Sequence, residues 1–260
     1  MKSAINTLDS TAIARKEIID VTFDFTMDCV PNYWDGFWER GDGLGVGAYD
    51  PDEKSPTLKR YHQLLWSKTL PNGEFFELTQ SGSDYLRWRD MRFGSDFILS
   101  SFRYKKNKDV IRKVSNYRAL IEDFLHKAYT IGGMVIFPKH TNSMNVCRGR
   151  NNYICDRWDL SLECIRRFYN GEDSPLASFM EQDRNFYSLF NDFKGYIDFF
   201  YLQDCVTEDY KRVNFWFGDG SFSYKPLPKN PEEYNTWISS ALDFVKKRNA
   251  RIKESVALYR

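Results

Sequence analysis

The chain has 260 residues and a formal net charge of +1, so its overall charge attracts it neither to nucleic acid nor to a membrane surface. No stretch approaches the ~18 uninterrupted apolar residues of a membrane-spanning helix, and the N-terminus lacks the apolar run of a signal peptide. The five cysteines are scattered and form no C-x-x-C pair, which is typical of reduced thiols. These features predict a cytoplasmic protein that is not bound to a membrane.

The first part of the chain predicts little regular structure. Residues 1–20 are expected to form a short helix or a loose arm, and the glycine-rich residues 31–56 a long loop. Between them a strand is predicted over residues 21–30, because apolar side chains alternate with polar ones at Val21, Phe23, Phe25 and Met27.

A helix and a β-meander are predicted next. Ser55 and Pro56 are a favourable cap and first residue for a helix over residues 57–68, which ends before the turn Pro71-Asn72-Gly73. Three segments rich in β-forming residues then predict antiparallel strands near residues 74–80, 85–92 and 96–104.

The second half of the chain predicts mainly helices. Apolar spacing indicates helices over residues 108–129 and 157–170, separated by a buried strand at 134–137 and a polar loop at 138–155. A nearly all-apolar pattern predicts one long helix from about residue 175 to residue 206. It is followed by a strand or hairpin at 213–224 and by a C-terminal helix that starts with Asn230, Pro231 and Glu233.

The order of these elements predicts the fold class. Aromatic residues make up 17% of the chain, which indicates an aromatic-rich core. No linker rich in proline, glycine or serine separates two self-sufficient halves. We therefore expect a single α+β domain over residues 1–260, in which an antiparallel or mixed sheet packs against several long helices.

Three charged residues share one face of the helix predicted over residues 157–170. Asp159, Glu163 and Arg166 are spaced by four and three residues, and two carboxylates one turn apart repel each other. One interpretation is a polar site in a cleft, with Glu163 and Asp159 as catalytic carboxylates. The other is a structural ion-pair cluster that ties the preceding loop to the helix.

Arginines are frequent in the loop before this helix and at its start. Arg148, Arg150 and Arg157, with Arg166 on the helix, form a candidate site for a phosphate or a carboxylate. Asp156 and Asp159 lie at the same helix end, however, and would compete for these arginines and repel an anion.

The helix predicted over residues 57–68 carries the remaining candidates. His62 is a candidate general base and Lys68 a candidate ligand-binding cation, while the alternative for His62 is a packed histidine beside Trp66. The three histidines are far apart in the sequence and have no metal-ligand spacing with cysteines, so no metal site is predicted. The phosphate-loop and dinucleotide-binding motifs are absent, and no cofactor is indicated.

A local basic run lies between Arg103 and Arg118, with Tyr104 and Tyr117 interleaved. Such a run can contact a phosphate backbone. The alternative is a loop and the solvated outer face of a helix.

Several segments of the chain, in the same order, resemble an uncharacterised family of bacterial proteins, a domain of unknown function. These segments include YHQLLWSKTLPNG, TIGGMVIFP and DRWDLSLECIRRFY, and the resemblance extends from about Asp50 to Ile252. It implies a bacterial, plasmid or phage setting. It implies no activity, cofactor or catalytic residue.

Two functions are consistent with these patterns. The first is an intracellular enzyme that acts on a nucleotide, a nucleic acid or another phosphate-bearing substrate, in conflict between phage and host. The second is a non-enzymatic inhibitor or adaptor that binds a protein partner through the aromatic residues Tyr33, Trp34, Phe37 and Trp38. The sequence specifies neither the reaction nor the oligomeric state.

Overall fold

The structure, a computed structural model, describes residues 19–29, 50–81, 85–99, 104–139, 154–155, 157–222 and 227–258. The predicted α+β class is confirmed. The α-helices of this part are α1 (Pro51–Lys54), α2 (Pro56–Trp66), α3 (Tyr104–Ile111), α4 (Tyr117–Ala128), α5 (Trp158–Tyr169), α6 (Ala177–Gln182), α7 (Arg184–Tyr187), α8 (Phe193–Phe199) and α9 (Pro231–Leu258). The strands are β1 (Lys68–Thr69), β2 (Phe75–Phe76), β3 (Thr79–Ser81), β4 (Tyr85–Trp88), β5 (Met91–Phe97) and β6 (Met134–Pro138).

The larger sheet is antiparallel and has the strand order β3-β4-β5-β6. β4 and β5 are joined by a tight turn at Arg89 and Asp90, so that Arg87 lies directly opposite Arg92. All residues of β6 are buried, as expected for a strand covered on both faces. β1 and β2 form a separate two-stranded ribbon.

Helical segments cover both faces of the larger sheet. On one face Phe93 packs against Phe186 of α7, with ring centroids 5.7 Å apart. On the other face Phe137 packs against Trp158 at the start of α5, at 6.0 Å. Gly94 is the partner of Phe137 and follows Phe93 in β5, so the two rings lie on opposite faces.

The C-terminal helix α9 holds the turn that precedes β6. A Cβ atom at Gly132 would lie 2.6 Å from the carbonyl oxygen of Val245, so this close approach requires glycine. Arg248 of α9 is fully buried and donates hydrogen bonds to the carbonyl oxygens of Gly132, Met134 and Phe200, at distances of 2.8 to 3.1 Å. These contacts fix the start of β6.

The strand predicted over residues 21–30 is wrong. The chain turns instead and forms a 3-10 helix at Phe25–Cys29, because the carboxylate of Asp24 accepts a hydrogen bond from the backbone of Thr26 at 2.9 Å. The loop predicted over residues 31–56 is interrupted by α1, whose first turn is capped by Asp50. Residues 30–49 of that loop lie outside the described residues.

The single helix predicted over residues 175–206 is also wrong. This segment forms α6, α7 and α8 with 3-10 turns, and its breaks include left-handed backbone at Asn191 (φ +66°) and Tyr201 (φ +56°). The apolar pattern continues across the breaks because the short helices bury their aromatic side chains in one cluster. Phe186, Phe190, Tyr196 and Phe200 are among its members.

The remaining predictions divide between errors and confirmations. The helix predicted over 108–129 is broken at Asn116, where φ is +53°, and the strand predicted at 96–104 ends at Phe97. The hairpin predicted at 213–224 is reduced, in its described part, to an isolated bridge between Val206 and Val213. The predictions for α2, β6, α5 and α9 are confirmed. In the described part of the chain, no helix has the length and apolar character that crossing a membrane requires.

Candidate functional site

The start of α5 carries a buried ion pair between Arg157 and Asp159, neither of which is exposed. Nε of Arg157 donates to Asp159 at 3.0 Å, and its Nη2 donates to the same carboxylate and to the carbonyl oxygen of Phe217. Asp159 also accepts a hydrogen bond from the backbone of Trp216 at 2.9 Å. The pair therefore ties α5 to the segment around Trp216, as the structural interpretation predicts.

A second ion pair on α5 contains Glu163. Its carboxylate accepts two hydrogen bonds from Arg166, at 2.8 and 2.9 Å, and one from Arg167 at 2.9 Å. Arg166 also binds Glu172. Burial alone would raise the pKa of Glu163, but the hydrogen bonds from the two arginines hold that pKa below its usual value. Glu163 is thus an ionised carboxylate with its lone pairs engaged.

Asp159 and Glu163 therefore belong to two separate groups, although the sequence places them one turn apart. Each carboxylate has arginine partners, and Asp159 is inaccessible to solvent. This geometry favours the structural interpretation of the helix face. The catalytic roles of Asp159 and Glu163 stay predictions.

His62 is fully buried between α2 and β5. The indole N–H of Trp66 donates to Nδ1 at 2.9 Å, so Nε2 carries the proton and donates to Oγ of Ser95 at 2.9 Å. Burial, helped by the charge of Arg248, lowers the pKa of His62 to about 3. The ring is a neutral connector in the core, and its role as a general base stays a prediction that requires the core to open.

Lys68 is held by contacts within the protein. Its Nζ donates to the carbonyl oxygen of Phe199 at 2.7 Å and lies 4.1 Å from the ring centroid of Tyr201 and 4.4 Å from that of Phe199. Cation–π contacts of this kind stabilise a lysine in place. The role predicted for Lys68, binding a ligand, would require it to leave these contacts.

A polar cleft of about 350 Å³ lies at the end of the sheet where β5 begins and β6 ends. Its charged and amide side chains come from the β4–β5 turn, from the end of β6 and from the α6–α7 corner: Asp90, Arg92, Lys139, Gln182, Asp183 and Asn185. Its volume lies at the lower end of the range for small-molecule sites, about 300 to 1,000 Å³.

Three cations form a row across the sheet beside this cleft, and we call them the cation row: Arg87, Arg92 and Lys139. Arg87 is the cross-strand partner of Arg92, and the backbone N–H of Lys139 donates to the carbonyl oxygen of Arg92 at 2.8 Å, which continues the β5–β6 register. Residues directly opposite in a sheet point to the same face. The cation row therefore presents its charges on one face.

The two arginines of the cation row are not neutralised by the part of the chain that the structure describes. Neither Arg87 nor Arg92 forms an ion pair there, and Nε of Arg87 is buried without a hydrogen-bond partner. A buried donor without a partner has a free-energy cost. This arrangement therefore has the capacity to accept an anion.

Sequence reasoning did not identify Arg92 or Lys139 as site residues. A signal for the first was present, since Arg87 and Arg92 are placed symmetrically about Arg89 and Asp90, which is the arrangement of a two-residue hairpin. Such a hairpin makes them direct neighbours. The proximity of Lys139 depends on the pairing of β5 with β6, which no local pattern reveals.

Other candidates from the sequence lie outside the described residues. These are Arg148 and Arg150, which belong to the segment between Lys139 and Ile154, and the aromatic residues Tyr33, Trp34, Phe37 and Trp38. Among the residues that the structure covers, no group of three or more histidine, cysteine, aspartate and glutamate side chains is arranged to hold a metal ion.

The chain belongs to a family of unknown function (DUF6994), whose model matches residues 19–252. Membership agrees with the resemblance of the sequence segments and extends it towards the N-terminus. Neither the curated proteins nor the solved structures gave a match to the chain.

Proposed function

We propose that the protein binds a small phosphate-bearing molecule in the cleft at the end of the sheet, with Arg92 and Lys139 as the groups that hold the phosphate. The observation that carries the proposal is the cation row, which lies beside a concave polar site with two arginines not neutralised by described residues. Arginine binds phosphate through two parallel hydrogen bonds, and lysine adds a point charge.

Electrostatic cost supports this proposal. Like charges directly opposite each other on neighbouring strands destabilise a sheet, and Arg87 and Arg92 are such a pair. A bound anion between or beside them offsets the repulsion and gives the guanidinium N–H groups acceptors. The arrangement is therefore more favourable with an anion than without one.

The support extends to binding more directly than to catalysis. The carboxylates first predicted to be catalytic, Glu163 and Asp159, are engaged by arginines. The cleft has its own carboxylates in Asp90 and Asp183, which are candidates for proton transfer to or from a ligand held there. Whether the bound molecule is a substrate is the enzymatic part of the proposal.

A thermal-shift screen tests the proposal. Inorganic phosphate, nucleoside phosphates, sugar phosphates and short oligonucleotides are compared with the same nucleosides and sugars lacking phosphate. A ligand at 100 times its dissociation constant stabilises the folded state by about 2.7 kcal/mol, which corresponds to a rise in melting temperature of several degrees. We expect such a rise only with phosphate-bearing compounds.

Matched variants locate the binding. Arg92→Gln and Lys139→Gln should remove the ligand-induced rise, whereas Arg60→Gln and Lys246→Gln, at exposed positions on α2 and α9, should keep it. The absence of a rise with every phosphate compound near millimolar concentration would overturn the proposal, as would an unchanged rise in Arg92→Gln.

A further inference from the structure

The cleft beside the cation row has an acidic side as well as a basic one. Asp90 follows the end of β4 and is exposed, and Asp183 between α6 and α7 is 7% exposed. Both line the same cleft as Arg92 and Lys139. A ligand that fills the cleft therefore meets cations at one end and carboxylates at another.

This distribution of charge selects among phosphate-bearing molecules. Resting on the proposed function, we infer that the ligand is a phosphate monoester of a sugar or another polyol, and not a polyphosphate or a nucleic-acid strand. One phosphate group binds Arg92 and Lys139. The hydroxyl groups of the remainder donate hydrogen bonds to the carboxylates of Asp90 and Asp183.

Chemistry and size both support this ligand class. Ionised carboxylates only accept hydrogen bonds, so they match hydroxyl groups and repel a second phosphate. The amides of Gln182 and Asn185 at the same corner can donate and accept, which suits a neutral polar group. A cleft of about 350 Å³ is small for a ligand site, so a second phosphate would lie close to the carboxylates.

The acidic side also argues against nucleic acid as the partner. Strand binding without sequence preference uses a positively charged groove that follows successive phosphates. Here Asp90 and Asp183 interrupt the positive charge within the length of the cleft. A strand held by Arg92 and Lys139 would bring its neighbouring phosphates towards these carboxylates.

The test compares dissociation constants, measured by calorimetry, for ribose 5-phosphate, ribose, pyrophosphate, ADP and a single-stranded oligonucleotide. We expect ribose 5-phosphate to bind at least about tenfold more tightly than each of the others, because one charged hydrogen bond contributes about that factor. Asp90→Asn should weaken ribose 5-phosphate and strengthen pyrophosphate. Asp109→Asn, an exposed aspartate of α3, should change neither.

The outcomes separate this inference from the proposed function. If pyrophosphate, ADP or the oligonucleotide binds more tightly than ribose 5-phosphate and Arg92→Gln abolishes that binding, the inference is overturned and the proposed function stands. If Asp90→Asn leaves the ratio of ribose 5-phosphate to pyrophosphate affinity unchanged, the inference is also overturned. If no phosphate compound binds, both fail.

Discussion

Arg87 and Arg92 lie directly opposite each other on β4 and β5, with both guanidinium groups on one face of the sheet. Each side chain is only partly exposed. A pair of like charges in this position lowers the stability of the sheet by roughly 0.2 to 1 kcal/mol. The pair is therefore better explained by a ligand than by the fold.

The first prediction concerns stability without a ligand. Arg92→Gln should leave the free energy of unfolding unchanged or raise it by up to about 1 kcal/mol, because the repulsion with Arg87 is relieved. Urea denaturation at low ionic strength measures the effect, and added salt should reduce it. A loss of more than about 1 kcal/mol would mean that Arg92 is a structural residue.

The second prediction distinguishes the two interpretations of Glu163. Because this carboxylate holds Arg166 and Arg167, Glu163→Gln should lower the free energy of unfolding by about 2 kcal/mol. The melting temperature should fall by roughly 4 to 8 °C. The matched control is Glu181→Gln, whose partner Arg184 is exposed, and it should leave the melting temperature essentially unchanged.

An unchanged melting temperature in Glu163→Gln would contradict the structural interpretation. If the same variant also lost an activity on a phosphate-bearing substrate, Glu163 would return as the catalytic carboxylate that the sequence suggested. Circular dichroism and a thermal scan of both variants, under identical buffer conditions, decide between these results.

The third prediction concerns acid stability and rests on His62. Its pKa is about 3 in the folded protein and about 6.5 in the unfolded chain, so the unfolded state binds more protons between these values. Stability contributed by neutral His62 is therefore complete above pH 6.5 and is lost as the pH falls towards 3. The loss is at most about 4 kcal/mol, since one pKa unit corresponds to about 1.4 kcal/mol.

Measurement of the free energy of unfolding across this range checks the sign. His62→Gln should flatten the dependence on pH between 6.5 and 3, whereas His126→Gln, at a half-exposed position beside Asp24, should retain the contribution of His62. Equal slopes in the wild type and His62→Gln would show that acid destabilisation arises elsewhere.

The extent to which the sequence predicts the fold depends on how local the signals are. α9 is predictable because Asn230 caps it with a hydrogen bond to the backbone of Glu233 at 2.9 Å, and Ser55 caps α2 in the same way through Leu58. The breaks at Asn191 and Tyr201 were not predictable from apolar spacing. Tyrosine rarely adopts left-handed backbone, and here Tyr201 also contacts Lys68.

The candidate site was predictable only in part. The sequence indicated arginine-rich chemistry near the start of α5, but it could not show that Asp159 is consumed by Arg157 within the core. The cleft depends on the β5–β6 pairing and on the α6–α7 corner, which bring together residues distant in sequence. Tertiary packing, rather than helical or strand periodicity, determines this site.

A crystal structure of the protein grown with the phosphate compound that gives the largest thermal shift tests the central claim most directly. We predict the phosphate group in the cleft at the end of the sheet, with its oxygens within hydrogen-bond distance, about 2.7 to 3.2 Å, of the guanidinium group of Arg92 and Nζ of Lys139. A phosphate bound elsewhere on the protein, with the cleft occupied only by water, would contradict the claim.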